Sequence, residues 1–196
     1  MKKKISRIRS TAVPLPIENI DTDQIIPSRF LKALSKKGFG KNLFHDWRYD
    51  KHGKCNKKFI LNNRLYSGKI LVCGRNFGCG SSREHAAWAL IDYGFSVVVS
   101  SYFADIFKTN ALNNGLLPIQ IPEKKINKML IAIKKNPHLI FEVDLKNQLF
   151  ISQEMQLKEL FRIHPYKKTC LMNGYDDVEY ILSMKEKIIT FENNNK

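Results

Sequence analysis

Long apolar runs and paired cysteines are both missing from this chain, and each absence excludes a class of protein. The longest strongly apolar stretch, residues 95–101, is far shorter than the roughly 20 residues that a membrane-spanning helix needs. The four cysteines are irregularly spaced and form no C-x-x-C pair, a pattern that argues against zinc or dithiol sites. No apolar core of a secretory signal follows the N-terminal lysines, so we expect reduced thiols and a cytoplasmic location.

Acidic residues are scarce relative to basic ones. Lys and Arg number 33 against 18 Asp and Glu, which gives a formal net charge of +15. An excess of this size fits a basic module that binds nucleic acid. The lysines, however, form scattered pairs, and no aromatic residues are interleaved with them as a stacking platform. We therefore favour a solvated basic surface and keep a nucleic-acid-binding module as the alternative from a different class.

Length and composition predict a folded protein. The 196 residues are 43% hydrophobic and 26% charged, which is ordinary for a globular chain and enough to bury a core. We find no internal repeat and no domain boundary. The prediction is a single domain over residues 1–196, with an elaborated loop around residues 36–63 and a C-terminal helical tail around residues 153–196.

The middle of the chain alternates between strand-like and helix-like segments. Short β-branched runs are followed by apolar residues at helical spacing. The predicted elements are a strand at 69–73, a helix at 81–93, a strand at 96–100, a helix at 105–114 and a strand at 116–121. Strands linked by helical crossovers predict an α/β fold with a mostly parallel central sheet and ligand loops at the carboxyl ends of its strands.

The last third of the chain continues with helical and hairpin patterns. Apolar residues at helical spacing predict a helix that stops near Pro137, and two strand-like runs at 139–145 and 148–152 predict a hairpin. The spacing of Val178, Ile181 and Leu182 predicts a terminal helix over 176–187, and this range completes the expected helical extension.

A glycine-rich loop, residues 74–85, joins the first predicted strand to the first predicted helix. Glycines allow the backbone to approach a ligand closely, and free N–H groups at a helix start favour an anion. Gly78 and Gly80 are the residues that we expect to line such an anion site. The loop matches neither the dinucleotide fingerprint nor the phosphate-binding P-loop, which argues against nucleotide binding.

The residues alone leave a second interpretation of this loop open. Ser81 and Glu84 have the spacing of a capping box, in which the serine side chain caps the helix. Arg83 would then pair with Glu84 or with solvent, and the loop would be a tight turn without a ligand. Anion binding and a purely structural turn are equally compatible with the spacing.

Four ordered motifs carry a resemblance to a known family. They are NIDTDQIIP at 19–27, GCGSSREHA at 78–86, SYFADIF at 101–107 and NGLLP at 114–118. In this order they resemble the swivelling domain of the aconitase superfamily, a β/β/α fold. The likeness is strongest to the small subunits of bacterial 3-isopropylmalate dehydratases, and it extends over nearly the whole chain, including residues 40–48 and 170–174.

The resemblance implies roles for four side chains. Ser81 would act as an alkoxide base that removes a carbon-bound proton, and Arg83 would grip a substrate carboxylate with its planar guanidinium group. Ser82 would add a hydrogen bond to the substrate. Asp23 would orient a neighbour, although a turn-capping carboxylate is the alternative interpretation of this residue.

Three neighbours in the same motif receive no chemical role. Glu84 and His85 are interpreted as braces of the loop. Cys79 lies beside the serines, but the family uses no covalent thiol intermediate, so we interpret it as a packing residue.

The reaction implied by the resemblance is the interconversion of 2-isopropylmalate and 3-isopropylmalate by dehydration and rehydration, a step of leucine biosynthesis. A related hydro-lyase of the homoaconitase or citraconate hydratase type is the alternative. An isopropyl group in place of a third carboxylate favours an apolar wall, for which Phe30, Leu31 and Leu34 are the candidates.

Loss of hydroxide in this reaction needs a Lewis acid, which in this superfamily is an iron of a four-iron four-sulfur cluster. Cys73 and Cys79 are far from ferredoxin spacing and have no third cysteine nearby. We therefore expect no metal or cofactor on this chain. The cluster is expected on a separate large subunit, with which this chain would form a heterodimer.

Overall fold

Eight strands and eight helices make up the computed structural model, which describes residues 3–32 and 35–195. The strands are β1 (Arg7–Ser10), β2 (Ala12–Leu15), β3 (Ile70–Cys73), β4 (Val97–Ser100), β5 (Leu117–Gln120), β6 (Phe141–Asp144), β7 (Leu149–Ser152) and β8 (Leu157–Leu160). The helices are α1 (Thr22–Ile25), α2 (His45–Arg48), α3 (Glu84–Tyr93), α4 (Asp105–Asn114), α5 (Glu123–Lys135), α6 (Pro165–Asn173), α7 (Asp177–Ser183) and α8 (Lys185–Asn194). Short 3-10 turns lie at Ser28–Phe30, Phe39–Asn42 and Ile60–Asn62.

The central sheet is parallel, as the alternating pattern predicts. Its strand order is β2-β3-β4-β5, and each neighbouring pair runs in the same direction. The predicted strands β3, β4 and β5 and the helix at 105–114 are confirmed to within one residue at either end, whereas β2 is not predicted. Gly115 ends α4 with a left-handed backbone, φ 89°, a conformation that glycine adopts without steric cost.

A second, antiparallel sheet has the order β1-β6-β7-β8. Its central hairpin, β6 and β7, is confirmed where the sequence predicts it. The outer strands β1 and β8 are not predicted, because a four-residue strand of mixed polarity has too weak an alternation to stand out. The segment predicted as a helical tail from residue 153 therefore contains a strand before its helices begin at Pro165.

Alternation along the parallel strands divides the core into two layers. On β3, Leu71 and Cys73 point into a cluster shared with α3 and α4. Ile70 and Val72 point to the opposite face, where they pack with α5 and the antiparallel sheet. All four side chains are fully buried. Since both faces of the parallel sheet are covered, its carboxyl edge is the part left available for ligand loops.

The segment predicted as an elaborated loop, residues 36–63, is organised around one buried arginine. Arg48 is only 9% exposed, and no carboxylate contacts it among the described residues. Its guanidinium group instead donates to the backbone carbonyls of Gly40, Lys41 and Leu43. It also donates to the side chains of Asn62 and Tyr49. The buried cation thus supplies hydrogen-bond donors to the carbonyls of these short turns.

The predicted terminal helix is divided at Met184 into α7 and α8. Val178, Ile181 and Leu182 share a face of α7, and they are 65%, 58% and 63% exposed. Helical spacing indicates which residues share a face, but it does not indicate whether another element covers that face. Within residues 3–32 and 35–195, no helix is both long and apolar enough to cross a bilayer.

Asp144 gives the antiparallel sheet a measurable dependence on pH. The backbone N–H and side-chain amide of Asn147 each donate to its carboxylate at 2.9 Å, and Arg7 donates at 3.1 Å. These bonds, those of Asn147 first, lower the pKa of Asp144 to about 2. Because the folded pKa lies below that of the unfolded chain, the stabilisation is complete above about pH 4 and is lost as pH falls towards about 2.

We expect Asp144→Asn to lower the free energy of unfolding at pH 7 by about 1–2 kcal/mol, less than the full pKa shift because Arg7 is exposed. Urea denaturation from pH 7 to pH 2 measures the difference from the unmodified chain, which should shrink below about pH 4. Glu123→Gln on the exposed first turn of α5 is the matched control. A difference between the chains that is independent of pH would contradict this account.

Candidate functional site

The glycine loop leaves the carboxyl end of β3 and is held between two neighbouring segments. On one side, the N–H groups of Gly78 and Cys79 donate to the carbonyl of Ile20 at 2.7 and 3.2 Å. On the other side, Phe77 pairs in parallel with Phe103, just beyond β4. The loop is therefore a short extension of the sheet, with a fixed backbone.

Two loop positions require glycine. Gly78 has φ 78°, and a Cβ built there would lie 2.2 Å from the ring of Phe107, too close for any side chain. Gly80 has φ 86°, which side chains rarely adopt, and a Cβ there would lie 3.4 Å from Cβ of Asp21. Both predicted loop glycines thus serve the path of the backbone, which turns sharply before it reaches the serines.

Ser81 and Ser82 are exposed at the end of this turn. The backbone of Ser81 is anchored, because the hydroxyl of Thr22 donates to its carbonyl at 2.8 Å. The N–H of Thr22 donates in addition to the carbonyl of Cys79 at 2.9 Å. An anchored backbone beneath an exposed hydroxyl is the arrangement that a reactive serine needs.

The predicted capping box is wrong. Helix α3 begins only at Glu84, and its N-cap position is taken by Arg83, whose side chain makes no cap hydrogen bond. The carboxylate of Glu84 accepts instead from the side chain of Asn114 at 2.8 Å, so Glu84 braces α3 against α4, whereas its motif predicted a brace of the loop. Ser81 is therefore not used as a helix cap, and the purely structural interpretation of its hydroxyl loses its basis.

A run of free backbone donors surrounds the serines. Among the described residues, the N–H groups of residues 80–85 have no acceptor, whereas the N–H of Ala86 donates to the carbonyl of Arg83 at 3.1 Å. These donors lie at the amino end of the ten-residue helix α3, where the helix dipole favours negative charge. A carboxylate or an alkoxide is the chemical group that this backbone can stabilise.

Arg83 and Asp23 face each other across the loop. Both terminal nitrogens of Arg83 donate to the two carboxylate oxygens of Asp23, and Nη1 donates in addition to the carbonyl of Ile26 at 3.3 Å. The Arg83 side chain is 12% exposed and that of Asp23 is 53% exposed. The Nε–H group and one Nη2 proton have no partner among the described residues, and they form the lateral edge of the guanidinium group.

His85 and Cys79 take part in packing. The His85 ring lies 4.3 Å from the ring of Trp88 and 5.6 Å from that of Phe39. Burial, together with the nearby carboxylate of Asp21, raises the pKa of the Cys79 thiol, and this disfavours the thiolate form. The arrangement agrees with the interpretation of both residues as structural.

No set of side chains in residues 3–32 and 35–195 is arranged to hold a metal ion. Cys73 is fully buried in β3, and burial raises the pKa of its thiol well above the usual range. Cys55 is exposed in a distant turn, and Cys170 is buried in α6. The residues of this chain therefore do not fit an iron-sulfur cluster.

The specificity candidates lie on the segment that follows α1. Phe30 and Leu31 are half-buried and pack against the core cluster on the α3 side of the sheet. Leu34 lies outside the described residues. Arg29 is paired with Asp46 and His45, which occupy its guanidinium group. Since Ile26 accepts from Arg83, this segment starts directly at the site.

Comparisons with known proteins show the family of this chain. Residues 2–124 match the model of the aconitase C-terminal domain. The chain is 58% identical, over 99% of its length and 96% of the relative's, to the 3-isopropylmalate dehydratase small subunit of Cytophaga hutchinsonii. It is also 58% identical to that of Karelsulcia muelleri, over 98% of both chains. The chain belongs to the family of 3-isopropylmalate dehydratase small subunits.

A solved structure supports the fold of this small-subunit family. The crystal structure of a 3-isopropylmalate dehydratase from Methanocaldococcus jannaschii matches with a TM-score of 0.65 and 25% identity. The match covers 95% of this chain and 99% of that one. The prediction of the aconitase swivelling-domain fold is thereby confirmed.

Thr22 is the residue of this small-subunit site that the sequence motifs did not single out. It is 2% exposed, and its side chain joins the segment after β2 to the backbone of the serine. The sequence does mark Thr22 in one way, because it lies between two aspartates at a helix start, in the motif DTD at 21–23. That position does not reveal the distant partner, because the hydrogen bond spans 59 residues of sequence.

We expect Thr22→Val to lower the free energy of unfolding by about 1 kcal/mol, since the variant removes the hydroxyl that donates to the partly buried Ser81 carbonyl. Amide hydrogen exchange at Gly78 and Cys79, which donate to the neighbouring Ile20 carbonyl, should accelerate. Thr22→Ser keeps the hydroxyl and should restore slow exchange at both amides. Equal exchange in the valine and serine variants would show that the hydroxyl does not hold the loop.

Proposed function

We propose that this chain is the small subunit of a 3-isopropylmalate dehydratase, a hydro-lyase that interconverts 2-isopropylmalate and 3-isopropylmalate in leucine biosynthesis. The family membership supports the reaction, and the loop supports the site. The observation that carries the proposal is the exposed serine next to free backbone donors and a carboxylate-binding arginine. We place the chain in the cytoplasm, because none of its four cysteines is in a disulfide.

In this proposal, Ser81 is the base that removes the proton from the substrate carbon. A free serine hydroxyl is far too weak a base, so its surroundings must stabilise the alkoxide. The unpaired N–H groups of residues 80–85 and the positive end of the α3 dipole provide that stabilisation. Ser82, exposed beside it, would donate a hydrogen bond to the substrate.

Arg83 would bind a substrate carboxylate through its lateral edge. The carboxylate of Asp23 already binds Nη1 and Nη2 of Arg83, and this fixes the plane of the guanidinium group. The remaining Nε–H and Nη2–H protons point in parallel and match the two oxygens of a carboxylate. Asp23 would thus orient the arginine, and it takes no part in moving the proton.

The hydroxide that leaves the substrate needs a Lewis acid, and no side chains in the described part of this chain are arranged to hold one. We place the four-iron four-sulfur cluster of the superfamily on a separate large subunit, which would bind this chain as a heterodimer. The support is the absence of a metal-holding group among the described residues and the small-subunit names of the relatives. The exposed site would then be closed by the partner. We further propose that residues 1–196 form a single swivelling-type domain.

The proposed base is tested by Ser81→Ala in enzyme reconstituted with its large subunit. We expect kcat to fall at least about a hundredfold, the usual effect of removing a general base, with a smaller change in KM. Arg83→Lys should mainly raise KM, because an ammonium group cannot form the bidentate contact. Ser6→Ala, an exposed serine before β1, is the control. Full turnover by Ser81→Ala would make this chain a purely structural subunit.

We propose that Phe30 and Leu31, and Leu34 beyond the described residues, line an apolar wall for the isopropyl group. The pairing of Arg29 with Asp46 supports this, since it leaves that arginine unavailable for a third carboxylate.

Replacing Phe30 or Leu31 with Arg should lower kcat/KM for 2-isopropylmalate about tenfold or more relative to a tricarboxylate, because a buried cation rejects an alkyl group. Assays of the reconstituted enzyme with both substrates measure the ratio. Leu65→Arg, at an exposed leucine elsewhere, adds the same charge as a control. An unchanged ratio would place the isopropyl pocket somewhere else.

A further inference from the structure

Exposed apolar side chains flank the glycine loop on both sides. Ile17, which follows β2, is 38% exposed. Tyr102 and Ile106, which follow β4, are 44% and 53% exposed. All three lie at the carboxyl edge of the parallel sheet, where the loop also begins. A surface of this composition, next to an open polar site, is typical of a protein interface.

These apolar residues are tied to the loop through the backbone. The N–H of Phe77 donates to the carbonyl of Tyr102 at 3.1 Å, and the N–H of Ala104 donates to the carbonyl of Phe77 at 3.2 Å. On the other side, Gly74 packs against the carbonyl of Ile17, so closely that a Cβ would lie 2.5 Å from it. The apolar surface and the loop are therefore one continuous face.

A cleft of about 420 Å³ extends this face beyond the ends of β4 and β5. Its polar lining consists of two cations, a hydroxyl and an amide, and it contains no carboxylate; the residues are Lys108, Arg162, Ser101 and Gln120. Its apolar lining includes Leu160, which at 77% is the most exposed of the large apolar side chains described.

The polar groups of this cleft are without partners in the described part of the chain. Lys108 and Arg162 form no ion pair there, in contrast to Lys125, whose ammonium group pairs with Glu159. The hydroxyl of Ser101 is shielded from solvent and makes no hydrogen bond. Two unpaired cations and a buried, unpaired hydroxyl together favour an incoming carboxylate.

We infer that this cleft is an anchoring site outside the glycine loop, and that it binds an acidic side chain carried on an apolar segment of the metal-bearing large subunit. The inference rests on the function proposed above. The partner's carboxylate would pair with Lys108 and Arg162, and its apolar neighbours would cover Leu160, Tyr102 and Ile106. Docking on this face would bring the metal of the partner towards Ser81.

Two other occupants explain less of the surface. A small free anion would satisfy the two cations, but it would leave the three apolar side chains in water. A second copy of this chain, related by a two-fold axis, would set one basic cleft against another, and like charges across an interface cost binding energy. An acidic and apolar partner surface satisfies both the charge and the apolar area.

The test is a titration of the purified large subunit with variants of the full chain. We expect Lys108→Glu, Arg162→Glu and Leu160→Ser each to weaken the dissociation constant by about tenfold or more. At saturating large subunit, kcat should stay close to that of the unmodified enzyme. Lys134→Glu and Ile131→Ser make the same chemical changes on exposed positions of α5, and both should bind normally.

The outcomes separate this inference from the proposed function. If the three variants bind normally while Ser81→Ala abolishes turnover, the anchoring site is wrong and the function stands. If the unmodified chain yields no dehydratase with any large subunit, the proposed function itself fails.

Two measurements on the free chain test the other occupants. Saturable binding of inorganic phosphate that Lys108→Glu abolishes, with unchanged affinity for the large subunit, would assign the cleft to a small anion. A homodimer that Leu160→Ser dissociates, again with unchanged affinity, would assign the face to a second copy. Either result overturns the anchoring inference.

Discussion

A backbone joint between the segment after β2 and the loop after β3 holds the candidate site together. The carbonyl of Ile20 accepts hydrogen bonds from two N–H groups of the loop. Thr22 donates hydrogen bonds to the loop through both its N–H and its hydroxyl. These bonds join residues about 60 positions apart in the chain. Without them, the exposed serine would sit on a mobile turn, and Arg83 would not meet Asp23, since each of the two charged residues belongs to a different side of the joint.

The joint exists because β2 and β3 are parallel neighbours. Their carboxyl ends meet at the same edge of the sheet, so the two segments that follow them start side by side. Gly78 then allows the loop to press against Phe107 on α4, which holds it from the opposite direction. The chemistry at the site is therefore a property of the sheet's topology as much as of the motif that carries the serine.

Periodicity predicts three of the four strands of the parallel sheet, β3, β4 and β5, because it is a local property of the sequence. Buried runs such as the one in β4 and the stop at Gly115 are visible within ten residues. Partners that lie far away in sequence are not visible in this way. The spacing of Ser81 and Glu84 suggests a local helix cap. The Glu84 carboxylate instead accepts a hydrogen bond from Asn114, because a partner on a neighbouring helix competes with the capping geometry.

The same limit explains the other differences. The outer strands β1 and β8 are defined by their pairing partners rather than by their own alternation. The apolar face of α7 follows helical spacing, but whether a neighbour buries it depends on the whole assembly. The motifs pointed to the candidate loop and to Asp23, since the family resemblance rests on these residues. Thr22, whose contribution is a contact across the fold, had no comparable signal.

The pairing of Arg83 with Asp23 has an electrostatic consequence for subunit association. A lone guanidinium ion carried into a closed interface would lose its hydration without compensation, at a cost of several kcal/mol. Here the positive charge is already neutralised by a carboxylate of its own chain. Closure over this edge would remove a dipole from water, not a net charge, and the negative charge of the site would arrive with the dicarboxylic acid itself.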